Sequence, residues 1–323
     1  MRAMRARAFH GYDDLELVDL PKPEIADGRV LVRITAAGVT PLEHTILSGN
    51  YPKARAPLIL GSEGAGVVEG GGGSEFPPGS RVMFTGAYGV LEDGTYSEGL
   101  AVRKQHLWRI PEGIDDVAAA GLPVAYFTAQ IALNEAGFQA GKTVLAPAIG
   151  GSVGNAVTQL AKAQGAKHVV STTTSHAKAE RAKALGFDEV IDLSTEPLKD
   201  GVSRITGGHG ADVVIDAIGG NILSEALSSL AMGGTLTTLG YSAGRKSTID
   251  VTDIIWKRAM IRSFSLFAQP PTAWEEAWNT IVPLLQSGAI KPIVARTFPL
   301  AEASDAIRYL VEERPFGRVV LTI

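Results

Sequence analysis

Between residues 143 and 239 short apolar runs alternate with helical patterns, and this rhythm constrains the fold more than any other feature of the chain. Thr143-Val-Leu-Ala146, His168-Val-Val-Ser171, Glu189-Val-Ile-Asp192, Asp212-Val-Val-Ile-Asp216 and Thr235-Leu-Thr-Thr-Leu239 read as strands. Residues 154–164, 175–185 and 224–230 read as helices between them; in the first, Val157, Leu160 and Ala161 share one face. Strands joined through helices are crossover-connected and therefore parallel, which predicts βαβ units in a doubly wound α/β sheet.

The first third has another rhythm. Val30-Leu-Val-Arg-Ile-Thr35, Gly64-Ala-Gly-Val-Val-Glu69 and Arg81-Val-Met-Phe84 are short strands, separated by turn chemistry at residues 70–73 and 77–79. Such spacing predicts a barrel or sandwich. The four glycines at 70–73 precede no helical pattern, so they read as a flexible turn rather than a phosphate loop. The last sixty residues carry helical patterns over 273–285 and 301–312 and a strand over 318–321. They fit poorly as further βαβ units and are expected to return to the first domain, making it discontinuous.

Composition narrows the functional classes. With 45% apolar and 20% charged residues, burial can offset chain entropy. The net charge of −4 without basic runs argues against a nucleic-acid partner. No cysteine is present, which excludes disulfides, thiolate–zinc sites and cysteine nucleophiles. Arg2, Arg5 and Arg7 resemble the start of a signal peptide, but no apolar core follows before Asp13 and Asp14. Residues 117–133 are uncharged yet contain Gly121, Pro123, Thr128 and Gln130, too short and polar for a membrane span. A soluble, cytoplasmic protein is the expectation.

Between the strand at Thr143 and the helix after Gly154 stands Ala148-Ile-Gly-Gly-Ser-Val-Gly154. Glycine permits positive φ and lets backbone approach a pyrophosphate, and a helix start offers free N–H groups and partial positive charge. Ile149 occupies the first glycine position of the strict GxGxxG pattern, so only Ala148-x-x-Gly151-x-x-Gly154 survives. An ordinary tight βα turn would use the same residues. A carboxylate for the ribose 2′-OH of NAD belongs at the end of the next strand. Residues 155–179 contain no Asp or Glu; the strand runs into Ser171-Thr-Thr-Thr-Ser175, His176 and Lys178. Hydroxyls with a cation suit an added 2′-phosphate, which favours NADP(H) through Thr172, Thr173, Ser175 and Lys178. His176 and Lys178 could equally be solvated residues of a helix's first turn.

Taken in order, several marks resemble the medium-chain dehydrogenase/reductase superfamily, especially its zinc-independent NADPH:quinone oxidoreductase (zeta-crystallin-like) branch. They are Ala36-Ala-Gly-Val-Thr40, Gly49-Asn-Tyr-Pro52, Gly61-Ser-Glu-Gly-Ala-Gly66, Gly79-Ser-Arg-Val82, Gly94-Thr-Tyr-Ser-Glu98, Ala118-Ala-Ala-Gly-Leu-Pro123, Phe127-Thr-Ala129, the glycine turn and Gly317-Arg-Val-Val-Leu321. The resemblance covers nearly the whole chain. It implies a GroES-like β-barrel domain from residues 1–122 and 265–323 and a Rossmann NADP-binding domain over 123–264. It also implies a homodimer assembled through the Rossmann domain, near residues 235–239.

The zinc-dependent alcohol dehydrogenases of this superfamily use a cysteine near Thr40 and a histidine beside the glutamate of a GHE motif. Here those positions hold Thr40 and Ser62, with only Glu63 retained. Hydroxyls are poor zinc ligands and one carboxylate cannot supply three, so no metal site is expected and Glu63 reads as structural, at a turn. Hydride transfer from a nicotinamide to an already electrophilic acceptor then fits: a quinone or an activated alkene, whose conjugation spreads the incoming charge. The alternatives are an enone, alkenal or enoyl-thioester reductase, and a non-catalytic crystallin-like or RNA-binding relative.

By resemblance, Thr128 faces the nicotinamide carboxamide, and Gly151, Ser152, Val153 and Gly154 contact the pyrophosphate. Ala217, Gly219, Leu239, Gly240, Ser242, Leu266 and Phe267 line the nicotinamide side, and Arg318 reaches a coenzyme phosphate. Quinone reductases often place a tyrosine where this chain has Leu193. Thr40, where this branch often has asparagine, and Tyr51 of the Gly-x-Tyr-Pro motif are expected to donate to an acceptor oxygen. His44 has no partner identifiable from sequence and reads as a loop histidine.

Overall fold

A computed structural model describes all residues, 1–323. The chain forms two compact units, Met1–Val124 with Pro292–Ile323, and Ala125–Lys291.

The N-terminal part of the first unit contains β1 (Arg2–Ala6), β2 (Leu15–Asp19), β3 (Arg29–Val39), α1 (Pro41–Leu47), β4 (Leu58–Ile59), β5 (Glu63–Gly70), β6 (Arg81–Thr85), β7 (Gly99–Arg103), β8 (Leu107–Arg109) and α2 (Asp116–Ala120). The strand alternation at Val30, Val32 and Ile34 buries these three side chains with Val82, Phe84 and Val102.

The second unit contains α3 (Thr128–Glu135), β9 (Thr143–Ala146), α4 (Ser152–Ala163), β10 (His168–Thr173), α5 (His176–Ala184), β11 (Val190–Asp192), α6 (Leu198–Thr206), β12 (Ala211–Asp216), α7 (Gly220–Ser228), β13 (Leu230–Thr238), α8 (Val251–Lys257), β14 (Met260–Ser263) and α9 (Pro271–Gln286). Its sheet has the order β11-β10-β9-β12-β13-β14, and every pairing is parallel. This is the doubly wound order, with the first strand central and the order reversing beside it. Leu145, Val170, Val214 and Leu236 of the sheet pack with Leu198, Val202, Ala226 and Leu227 of α6 and α7.

The chain then returns to the first unit as β15 (Val294–Pro299), α10 (Ala303–Glu312) and β16 (Arg318–Thr322). β16 pairs antiparallel with β3, Val319 opposite Val39, and parallel with β15. The seven strands β15-β16-β3-β5-β6-β8, with β7 also on β3, form the larger sheet; β2-β1-β4 form the smaller. The GroES-like and Rossmann architecture expected from sequence is present. No helix is long and apolar enough to cross a membrane.

Three local expectations need revision. The division into units falls after Val124 and after Lys291, rather than after residues 122 and 264. The reason is α9: Trp274 and Trp278 set their rings 5.1 and 5.9 Å from that of Phe127, so this helix covers the second unit. β13 begins at Leu230 because a bulge shifts its pairing with β12 between Ala211 and Val213. Residues 235–239 are also not a free edge, since β13 is paired by β12 and β14. On that side of the sheet the free edge is β14, which reads as no strand by sequence pattern alone.

A fragment spanning residues 125–291 is expected to unfold cooperatively in urea. One spanning 123–264, which lacks α9 and uncovers Phe127, should bind hydrophobic dyes and lose cooperativity.

Candidate functional site

In the second unit, the turn between β9 and α4 adopts the geometry its composition demands. Ala148 has φ of 66°, the left-handed region, at a cost of about 1–2 kcal/mol for a residue with a Cβ. A Cβ on Gly154 would stand 2.4 Å from the carbonyl oxygens of Pro147 and Ala148, so only glycine lets α4 begin this close to the strand. The turn is pinned from β10: the Thr172 hydroxyl accepts from Ala148 N–H at 3.0 Å, and its carbonyl from Ile149 N–H at 2.9 Å. Asn155 Nδ2 donates to the Ile149 carbonyl at 3.2 Å. No side chain caps α4, and Val153 and Gly154 present N–H groups of its first turn. A negatively charged phosphate fits this cradle.

Thr172 is thereby corrected from a contact of the 2′-phosphate to a brace of the turn, because it is buried with its hydroxyl turned onto Ala148. Thr173 Oγ1 accepts from Ser175 N–H at 3.3 Å. Ser175 immediately precedes α5 without using its side chain as a cap, and Lys178 N–H bonds back to the Ser175 carbonyl at 3.0 Å, one turn along. Sequence reading missed a carboxylate here. Asp192 pairs in register with Thr173, so the neighbouring strand brings an acid to the same sheet end. Ser194 donates to Asp192 Oδ1 through its hydroxyl at 2.6 Å and its N–H at 3.0 Å, and His176 Nδ1 lies 3.4 Å from Oδ2. The hydrogen bonds from Ser194, then His176, hold this carboxyl below its usual range. Examining all strand ends, rather than β10 alone, would have found it.

At the carboxyl ends of β12 and β13 lies a cavity of about 360 Å³, lined by Gly219, Thr238, Leu239, Gly240, Arg245 and Lys246 among others. Three expected residues therefore share one cavity, while Ala217 and Ser242 stand beside it on the same loops. Gly240 has a local reason as well, since a Cβ there would fall 2.2 Å from the Ala217 carbonyl oxygen. Beneath them Asp216 accepts from Ile218 N–H at 2.9 Å, Gly219 N–H at 3.0 Å and Thr238 Oγ1 at 3.2 Å. Burial raises this carboxyl despite those bonds. Arg245 lies over the Tyr241 ring at 5.9 Å, and neither it nor Lys246 forms an ion pair. Thr128 is buried at the start of α3, just after a π-helical turn over Pro123–Phe127. Leu266 is buried in a short 3-10 turn and Phe267 is partly exposed beside it.

In the first unit, Thr40 caps α1. Its hydroxyl accepts from Leu42 N–H at 3.2 Å and donates to Glu43 Oε2 at 2.6 Å, while its own N–H meets the same oxygen at 2.7 Å. Ser62 Oγ reaches Glu43 Oε1 at 3.4 Å. Thr40 and Ser62 are thus both directed at a carboxylate, and no group of three His, Cys, Asp or Glu side chains could hold a metal ion. This donor set does not fit zinc. Tyr51 is half-buried against the core cluster that contains Ile46 and Leu47. His44 is not an isolated loop histidine: it lies on α1, and Tyr12 Oη is 2.8 Å from its Nδ1.

Arg318 also departs from expectation. It is buried, its guanidinium forms a very short ion pair with Glu63, and Gly121 gives it room: a Cβ there would stand 3.1 Å from Nε. Burial lowers its pKa to about 10 against the pull of Glu43. The residue is structural because its charge is engaged inside the first unit. Glu63 is structural as anticipated, though it opens β5 rather than sitting in a turn, and its Oε2 accepts from Val124 N–H at 2.7 Å.

Comparison with known proteins follows the same division. Residues 26–112 match the alcohol dehydrogenase GroES-like domain and residues 152–283 the zinc-binding dehydrogenase family. The chain is similar to human quinone oxidoreductase, with 30% identity covering 100% of this chain and 98% of that protein. It is also similar to a 2-haloacrylate reductase from a Burkholderia species, with 31% identity over 91% of this chain and 90% of that one. Among solved structures, the quinone oxidoreductase of Thermus thermophilus, determined also in complex with NADPH, superposes with a TM-score of 0.86 at 31% identity, each chain covered completely.

Replacing Arg318 by Met leaves the Glu63 carboxylate buried without its cation. It should destabilise the protein by about 3–5 kcal/mol in denaturant melts. Coenzyme affinity of the folded fraction should stay unchanged, separating a structural role from phosphate binding.

Proposed function

Because the chain belongs to the medium-chain dehydrogenase/reductase superfamily, as an oxidoreductase of the quinone oxidoreductase-like branch, we propose that it is a zinc-independent NADPH:quinone reductase. The observation that carries this reading is the turn at residues 148–154, an uncapped helix start closed by a glycine that no other residue could replace. Gly151, Ser152, Val153 and Gly154 would hold the pyrophosphate, and Thr173, Ser175 and Lys178 the 2′-phosphate. Thr128, Ala217, Gly219, Leu239, Gly240, Ser242, Leu266 and Phe267 would orient the nicotinamide. The reduced coenzyme supplies the hydride; the protein supplies position, exclusion of water and hydrogen bonds to the acceptor oxygen. Thr40 and Tyr51 are the residues assigned to that oxygen. The hydroxyl–carboxylate set at Thr40, Ser62 and Glu43 supports chemistry without zinc.

One observation favours a second acceptor class. Arg245 and Lys246 face the cavity without acidic partners, which suits an activated alkene bearing a carboxylate or phosphate. Steady-state oxidation of NADPH with a quinone, a neutral enone and an acrylate separates the two, the highest kcat/KM naming the class. Asp192 bears on the coenzyme instead: its pairing with His176 and its hydrogen bonds from Ser194 offset the charge it brings to this sheet end, which leaves room for a 2′-phosphate held by Lys178.

We further propose a homodimer formed at β14. This strand leaves one edge unpaired, and Met260 and Ile261 on it, with Ile255 and Trp256 on α8, are exposed. A second copy of the same strand would satisfy both the edge and the apolar side chains.

Lys178→Ala should weaken NADPH binding by about tenfold or more, the worth of one charge-assisted hydrogen bond, and leave NADH binding unaltered. An unchanged NADPH affinity would remove Lys178 from the site. Ile261→Lys should convert the dimer to a monomer in analytical ultracentrifugation with no loss of secondary structure.

A further inference from the structure

Behind Thr40, the first unit buries two carboxylates against one guanidinium. Arg318 is engaged by Glu63, which also takes the Val124 N–H. Glu43, only 1% exposed, has no ion-pair partner. Neutral groups meet it instead: Thr40 N–H and Oγ1 on Oε2, and Ser62 Oγ beyond Oε1. The charged and titratable groups around it are few. Arg318 acts on it from β16, with Glu63 of β5 drawing on the same guanidinium. The Tyr96 phenol, fully buried with no hydrogen-bond partner, lies within its field. Tyr12 and His44, with Arg308 and Glu312 of α10 acting on Tyr12, form a separate group along α1.

A buried carboxylate lacking its own cation is costly, whereas a neutral carboxyl in the same place can satisfy every neighbour. Burial accordingly holds Glu43 above the usual carboxylate range. When the carboxyl is neutral, the hydrogen bond to Thr40 reverses. Thr40 Oγ1 then accepts from Leu42 N–H and from Glu43, and its own proton is free for a third partner. We infer that Glu43 is a proton store for the reaction, a positioning residue that passes its proton through the Thr40 hydroxyl to the reduced acceptor. This rests on the reading of Thr40 as facing the acceptor.

The step balances. The hydride brings two electrons to the acceptor, whose oxygen then carries the negative charge. That oxygen takes the Thr40 Oγ1 proton as the Glu43 Oε2 proton moves to Thr40 Oγ1. The resulting carboxylate is held by the Thr40 N–H and by the re-formed Thr40 O–H bond, and regains a proton from solvent after product leaves. A group that must start protonated makes turnover high below its pKa and low above it.

Three measurements test this with the full-length protein. Infrared difference spectra of the coenzyme-free protein at neutral pH should contain a protonated-carboxyl band that Glu43→Gln removes. In steady state, Glu43→Gln should lower kcat on the order of 10²-fold and abolish the alkaline fall of its pH profile, with NADPH affinity unchanged. Should that variant fold poorly, Thr40→Val and Thr40→Ser carry the test, the alkaline fall being lost in the first and kept in the second. Absence of the band in the native protein, or a native pH profile in Glu43→Gln or Thr40→Val, overturns the proposal. Lack of turnover with every acceptor overturns the functional reading and this mechanism together. A present band would then show that Glu43 is protonated for another reason.

Discussion

The buried pair between Arg318 and Glu63 is the interaction on which the first unit depends. Glu63 opens β5, Arg318 opens β16, and β3 lies between these strands in the sheet. The pair can form across β3 only because residue 38 is glycine: a Cβ there would stand 2.4 Å from Glu63 Oε1. One charged contact therefore couples the C-terminal return of the chain to β5. Its desolvation cost is high and its attraction only roughly offsets it, so its value lies in register. A guanidinium at 4% exposure tolerates no other placement of β16.

That constraint shapes the neighbouring chemistry. With Arg318 held by Glu63, the second carboxylate, Glu43, has only hydroxyls and an N–H to lean on. Thr40 and Ser62 stand at the positions where zinc-dependent relatives of the superfamily carry thiolate and imidazole ligands. Here both are hydrogen-bonded to Glu43, and the space becomes a hydrogen-bond network instead of a coordination sphere. Hydroxyls and a carboxylate cannot polarise an alcohol oxygen as a metal does.

Much of this organisation was legible in the sequence. The alternation over residues 143–239 identified the parallel sheet because period and connection length are local properties. The turn at 148–154 was legible for the same reason, although its first glycine position holds Ile149. What local pattern could not carry was anything fixed by pairing between distant segments. Asp192 escaped notice because it reaches the coenzyme-side sheet end from β11, in register with Thr173, not from the strand that precedes the expected site. Thr172 looked like a phosphate ligand until the packing of β10 on the glycine turn engaged its hydroxyl. The helix over 271–286 was read correctly as a helix but given to the wrong unit, since its tryptophans meet Phe127 more than a hundred residues earlier.

The same distinction separates the two halves of the candidate site by how firmly they are built. The glycine turn is over-determined: the Ala148 and Ile149 N–H groups donate to the hydroxyl and carbonyl of Thr172, the Asn155 side chain donates to the Ile149 carbonyl, and a steric requirement at Gly154 enforces the same geometry. A strained Ala148 persists because those contacts outweigh its cost. The cavity at Arg245 and Lys246 has the opposite character, with exposed cations on a loop and no ion pair to orient them. A rigid turn fixed by packing and a loop whose charges are free to move thus stand on one sheet, and rigid elements carrying adaptable loops are how a single scaffold comes to serve different ligands.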